Sequence, residues 1–333
     1  MRVRWIAVAV GAVLLVGWNG STAVAATASA VKPKASAGCK TSTVKPGELR
    51  IRTTSGGAQR AYWRHVPPAY TGKKPLPLVL DLHGHTEPAG THKANSMLGP
   101  FGDKHGFITI TPEGSGPVPH WDTTPDSADM KFISELLDEL DQQLCIDLRR
   151  VFATGYSNGA FVASQMACIY ADRIAAVAPV AGIRAVPGCK PARPVPVVAF
   201  HGIDDAWVAF KGGLGPGVFA LPPAEQQPLI DSAAPTDSGL SIPEVAAAWA
   251  KRNGCDPKPP SEKPVASDVT VFSYACPNHA DVQLYAIKGA GHTWPGSKFS
   301  ASIEQFVGKT TFSIDADKIM WKFFQQHPLR KAG

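Results

Sequence analysis

The sequence predicts an α/β fold: a mainly parallel central sheet with helices on both faces. Three observations carry this reading. First, PLPLVLDLHG (75–84), FITITPEG (107–114) and VPVVAFHG (195–202) are short, continuous apolar runs bounded by Pro or Gly, the pattern of strands buried on both faces. Second, DMKFISELLDELDQQL (129–144) repeats apolar residues at helical spacing through Phe132, Ile133, Leu136, Leu137, Leu140 and Leu144. Third, strand and helix patterns alternate across Gly-rich turns, which favours parallel pairing.

Taken in order, the chain opens with a basic MRVRW, an apolar IAVAVGAVLLVG and an Ala23-Val24-Ala25 site. Together these describe a secretory signal over 1–25, with cleavage between 25 and 30. The apolar run is shorter than the ~20 residues a membrane span needs, so stable membrane insertion is not expected. Residues 26–47, rich in Ala, Lys, Ser and Thr, read as a flexible leader, and 48–328 as one catalytic domain. ELRIRTTSGGAQRAYWRHVP reads as a hairpin turning at Ser55-Gly56-Gly57. After the strand that begins RVFATG comes a helix at about 158–171. IAAVAPVAG (174–182) is a further strand, and PEVAAAWAKRNG (243–254) a helix opening on Pro and closing on Gly. Strands at 270–276 and 282–288 precede a terminal helix at about 315–327, while the Gly- and Pro-rich residues 210–240 read as a long insertion beside the site.

Composition removes several function classes. Hydrophobic content of 44% with 18% charged residues is too apolar for a disordered chain. Losing Arg2 and Arg4 with the signal takes the net charge from +6 to +4, and the remaining basic residues are scattered. No clustered basic face for nucleic acid is expected. All six cysteines follow the signal, which in an exported chain suggests three disulfides. Local spacing favours Cys168–Cys189 and Cys255–Cys276, leaving Cys39–Cys145, although six cysteines allow fifteen connectivities.

Chemistry concentrates in VFATGYSNGAFVASQMA (151–167). Gly155-Tyr156-Ser157-Asn158-Gly159 fits G-x-S-x-G between a strand and a helix, the context that presents a nucleophilic hydroxyl on a strained turn at the sheet's edge. Side chains at Gly155 and Gly159 would collide with the neighbouring strand and helix. A serine hydroxyl needs a base, and His292 in KGAGHTWPG (288–296) follows an apolar strand in a Gly-rich loop. The base needs a carboxylate, and FHGIDDAW places Asp204 and Asp205 past a strand end, Asp205 being preferred. The order Ser, Asp, His is that of the α/β-hydrolases. Oxyanion donors are expected from the amides of Asn158 and of His85. HGHTE (83–87) invites a zinc reading, but Glu87 replaces the usual Asp and no His follows; no metal or other cofactor is expected.

LDLHGH, PEG (112–114), CIDLRRVFATGYSNGA, IAAVAPVAG, RPVPVVAFHGIDD, WAKRNGC and GAGHTWPG occur in the order found in secreted polyhydroxybutyrate-depolymerase-type esterases, a group that includes feruloyl esterases. The chain resembles that family from about residue 39 to 328. The resemblance implies an α/β-hydrolase fold and a Ser157–Asp205–His292 triad, with Asp205 four residues after the His of the HG motif. It lapses after Asp205, where AWVAF leads into the insertion. The expected function is a secreted serine esterase acting on hydroxycinnamoyl or acetyl esters of plant cell-wall xylan. The alternatives are a polyhydroxybutyrate depolymerase acting on a polyester and a non-catalytic exported binding protein. Trp121, Trp207 and Trp294 are candidates to pack on the substrate, whereas Trp249 and Trp321 sit at helical spacing and read as core.

Overall fold

In a computed structural model, described for residues 1, 31–224, 226–227, 230, 239–277 and 279–330, the apolar runs pair into one sheet. Residues 2–30, which hold the expected signal and cleavage region, lie outside the described residues, as does most of the insertion after 230. The strands are β1 (Gly47–Ser55), β2 (Ala58–Val66), β3 (Leu76–Leu82), β4 (Ile108–Pro112), β5 (Ile146–Tyr156), β6 (Val177–Val180), β7 (Val197–Gly202), β8 (Ser261–Ala266), β9 (Val269–Tyr274) and β10 (Val282–Ile287). Their order is β1-β2-β4-β3-β5-β6-β7-β10-β9-β8. The six central strands from β4 to β10 run parallel, and β2 and β9 pair antiparallel to the two ends of that block. The α/β-hydrolase class is thus present, with an antiparallel hairpin at each flank. Outermost β8 is almost wholly exposed, and Glu262, Lys263 and Pro264 blunt it against further pairing.

The helices are α1 (Gly38–Thr41), α2 (Ala89–Ser96), α3 (Leu98–His105), α4 (Ala128–Gln143), α5 (Asn158–Ile169), α6 (Pro216–Phe219), α7 (Ile242–Arg252), α8 (Lys298–Ser302), α9 (Glu304–Val307) and α10 (Ala316–Gln326). Alternation along the buried strands divides the core between two faces. Leu78 and Leu80 pack in one cluster with Leu136 of α4, Met166 of α5 and Trp249 of α7. Val79, Phe152 and Phe200 point the other way, into a cluster with Trp321 and Phe324 of α10. α7 starts on a complete capping box between Ser241 and Glu244, with proline in its first turn, so its N-terminal N–H groups are satisfied locally. α2 and α3 were not apparent as helices in the sequence, because α2 buries Ala89, His92, Asn95 and Ser96 instead of an apolar stripe.

The expected flexible leader differs from the structure over its second half. The Lys34 N–H donates to Asp147 Oδ1 (2.8 Å), Ser36 Oγ donates to the Leu144 carbonyl (2.5 Å) and accepts from the Ile146 N–H (2.9 Å), and Cys39 is bonded to Cys145. These long-range bonds pin residues 34–39 to the start of β5. The other disulfides are Cys168–Cys189 and Cys255–Cys276. Cys39–Cys145 spans 106 residues, and closing so long a loop removes much chain entropy from the unfolded state. A Cys39→Ala/Cys145→Ala protein is therefore expected to lose about 2–5 kcal/mol, read as a lower urea midpoint. An unchanged midpoint would show that this crosslink does not hold the amino-terminal segment.

Candidate active site

β5 ends at Tyr156, and the chain turns at Ser157 into α5. Ser157 has φ 55° and ψ −118°, a conformation a non-glycine residue adopts only under constraint. Strand and helix meet so closely that a Cβ on Gly155 would lie 2.5 Å from the carbonyl of Gly159, and one on Gly159 would strike the carbonyls of Leu82 and His83. The Ser157 N–H donates to the Val180 carbonyl (3.0 Å), tying the corner to β6. This is the strand–turn–helix expected around G-x-S-x-G.

Asp205 follows β7 by three residues and is buried, while neighbouring Asp204 is exposed. Asp205 Oδ1 accepts the N–H groups of Trp207 (2.8 Å) and Val208 (2.9 Å). Its Oδ2 lies 2.7 Å from Nδ1 of His292, which the loop after β10 delivers. Tyr156 holds that loop by donating from its hydroxyl to the His292 carbonyl (2.5 Å). Burial pushes the Asp205 pKa up, but the charge and hydrogen bond of His292, and then His201, outweigh it and leave the carboxyl below its ordinary value. Ser157 and His292 line one cavity of about 310 Å³, together with His85 and Trp207. Among the described residues, no backbone carbonyl accepts from the His85 N–H. The Asn158 N–H, at the first position of α5, precedes the helix's own acceptors. The Asn158 side chain is occupied: it accepts from the Trp121 N–H (2.7 Å) and donates to the Trp121 carbonyl (3.2 Å).

Within HGHTE, His83 and Glu87 are tied into the loop by hydrogen bonds. His83 Nδ1 bonds the Gly84 carbonyl (2.7 Å), and its Nε2 accepts the Gly114 N–H (2.9 Å), so both ring nitrogens are used in fastening the first loop to the PEG turn. That pattern requires the neutral ring, and burial lowers its pKa to about 4. Burial, helped by His120 and His83, also lowers the His85 pKa to about 4. Glu87 Oε2 accepts the Gly84 N–H (3.0 Å) and meets Nδ1 of His92 (3.0 Å), whose Nε2 lies 2.8 Å from Asp81 Oδ1. Burial disfavours charge on His92, but Asp81 and Glu87 overcome it and raise its pKa to about 10. A buried imidazolium between two carboxylates therefore anchors the loop that carries His85. Sequence reasoning missed this pair of partners. The signal was polar residues at helical spacing, His92, Asn95 and Ser96, where apolar ones were sought.

Two of the proposed aromatic contacts are corrected. Trp121 and Trp294 are 0% and 1% exposed and do not line the cavity. Trp121 donates from Nε1 to the His83 carbonyl (3.0 Å), and Trp294 to Asp317 Oδ1 (2.9 Å). Both are internal struts, because a buried indole N–H seeks an acceptor. Trp207 does line the cavity, with its ring centroid 6.4 Å from that of His292.

No family model matches the chain. Among curated proteins, it is 30% identical over 259 residues to a putative esterase, NocK, of Nocardia uniformis subsp. tsuyamanensis, covering 73% of each chain. The chain belongs to the polyhydroxybutyrate-depolymerase-type esterase family. It is also 30% identical over 236 residues to feruloyl esterase B of Piromyces equi, a match that spans 68% of this chain but 41% of that esterase. An acetyl xylan esterase from Aspergillus awamori superposes with a TM-score of 0.58 over 84% of this chain and 99% of that one, at 16% identity, a likeness of fold.

The His92 charge has a consequence for stability in this esterase-family chain. Because its folded pKa lies above the ordinary 6.5, the stabilisation is complete below pH 6.5 and disappears as pH rises through about 10. Unfolding free energy is expected to fall by roughly 1 kcal/mol per pH unit in that window. His92→Gln should flatten this slope in urea titrations, and an identical slope in the variant would assign the loss to other groups.

Proposed function

We propose that the chain is an exported carboxylic-ester hydrolase that works through a serine-linked acyl-enzyme. Ser157 Oγ attacks the ester carbonyl while His292 Nε2 takes its proton, and Asp205 holds Nδ1–H and balances the imidazolium charge. The amides of Asn158 and His85 donate to the oxyanion of the tetrahedral intermediate. The intermediate collapses, the C–O bond to the alcohol breaks, and the alcohol leaves with the proton returned by His292. Water, deprotonated by His292, then attacks the acyl-serine, which releases the carboxylic acid and restores the Ser157 hydroxyl. The observation that carries this reading is the 2.7 Å contact by which buried Asp205 holds His292, which lines the same cavity as the strained Ser157 corner.

The substrate reading is hydroxycinnamoyl or acetyl esters on plant cell-wall xylan, supported by the name of the feruloyl esterase to which the chain is similar. Export is supported by three disulfides and by the basic-then-apolar start of the sequence. No helix among the described residues is long and apolar enough to cross a membrane. A binding protein on this fold would have no need of intact Ser157, Asp205 and His292 together with both turn glycines.

Ser157→Ala should abolish p-nitrophenyl acetate hydrolysis, with a fall in kcat of about 10⁴ or more, while the thermal unfolding midpoint stays nearly unchanged. Turnover near the parent rate in a folded Ser157→Ala protein would exclude Ser157 as nucleophile.

A further inference from the structure

The chain after Asp205, where the family resemblance lapses, is built into the wall of the candidate site. Val208 and Leu214 form a β-bridge, the Gly215 N–H donates to the Trp207 carbonyl (2.8 Å), and the Gly217 N–H donates to the Ala206 carbonyl (2.7 Å). α6 is thereby folded back on the turn that carries Asp205. The fit is close: a Cβ on Gly217 would lie 2.9 Å from the Ala206 carbonyl oxygen and 3.1 Å from the Trp207 ring. Trp207 in turn donates from Nε1 to the Phe306 carbonyl (3.0 Å), which joins this segment to α9. Leu214, buried Val218 and Leu221 then line the same cavity as Ser157, with Phe161, Phe299 and Ile303 as other apolar walls. Polar side chains in the lining are the reacting groups and His85, Glu87 with Asn95 donating to it, two threonines, and Tyr156 and Trp207, whose O–H and N–H are bonded to the His292 and Phe306 carbonyls.

From this arrangement we infer that Leu214, Val218 and Leu221 form an acyl-selecting wall, and that the ester's acyl half is an apolar group longer than acetyl. The inference rests on the esterase reading and narrows it. An apolar enclosure suits the acyl half and not a sugar alcohol, whose hydroxyls would lose water without gaining partners. A two-carbon acyl group would leave most of the 310 Å³ unfilled, so the lining would forgo dispersion contacts that a longer group makes. Burying one more methylene is worth about 0.8 kcal/mol, or about fourfold in kcat/KM where the contact is kept in the transition state.

The test is kcat/KM across p-nitrophenyl acetate, butanoate and hexanoate, with methyl ferulate against methyl butanoate to distinguish a ring from a chain. Butanoate is expected to exceed acetate by about tenfold or more. Val218→Phe and Leu221→Trp, which narrow the cavity, should each cut the butanoate-to-acetate ratio by about tenfold. Phe219→Ala, on the same helix but exposed, should leave the ratio unchanged. Leu221 is only partly buried, so its variant carries the test if Val218→Phe does not fold. A parent that prefers acetate, or narrowing variants with the parent's ratio, would overturn the wall while leaving the esterase reading intact. No turnover of any ester by the folded parent would overturn both.

Discussion

A serine held at positive φ between β5 and α5 is the constraint around which the site is arranged. Such a conformation costs on the order of 1–3 kcal/mol and persists only where its surroundings over-determine it. Here they do so from three sides. β6 holds the Ser157 N–H, the carbonyls of Leu82 and His83 crowd Gly159, and the Asn158 side chain is bonded twice to Trp121. Trp121 and His83 then carry the constraint outward, the one to the His83 carbonyl and the other to the Gly114 N–H. Corner, first loop and PEG turn therefore form one bonded unit, and the position of the Ser157 hydroxyl relative to the His85 amide is set by that unit instead of by loop flexibility.

Charge around this corner is sorted by partner and not by depth alone. His83 is deeply buried, and burial drives its pKa down, leaving a neutral ring with a backbone carbonyl to donate to. His92 is buried as deeply, yet two carboxylates keep it charged. The difference follows from Coulomb energy in a medium that water does not reach: an uncompensated ion is expelled, while one flanked by opposite charges is held. Glu87 remains ionised by the same pairing and so keeps two lone pairs for the Gly84 N–H and His92. Removing His92 would leave two carboxylates facing each other beneath the loop, so the ion trio works as a unit or not at all.

Much of this fold was legible because its strands declare themselves: LVLDL, ITITP and VVAFHG are mostly apolar and buried over their whole length, as in a sheet covered on both faces. The Ser157 corner was legible for a steric reason, since two glycines flanking a serine between such a strand and a helix have few other uses. α2 was not legible, because its buried face is His92, Asn95 and Ser96, and hydrophobic periodicity cannot find a helix whose packing is by hydrogen bonds. Trp121 and Trp294 were misread because a place in the chain, ten residues past a strand for the one and two residues past His292 for the other, says nothing about which way a side chain turns. Residues 34–39 looked loose for a similar reason: their partners lie more than a hundred positions away.

Selection and chemistry share a backbone in this molecule. The N–H groups of Trp207 and Val208 satisfy Asp205 Oδ1, and those same two residues begin the apolar wall. A substitution that shifts the backbone of Trp207 or Val208 must therefore either break these bonds, freeing a buried carboxylate oxygen, or move the carboxylate with it and disturb its 2.7 Å contact with His292. Either outcome costs more than the packing change itself, because an unsatisfied buried acceptor is worth about 1–3 kcal/mol or more when it is charged. Changes at Val218 and Leu221 avoid that cost: they lie further along the segment, past Gly215 and Gly217, which fasten it to Trp207 and Ala206, and reshape the cavity without touching the hydrogen bonds of Asp205. The fold thus separates positions where acyl preference can vary from those where it cannot, within a span of about fifteen residues.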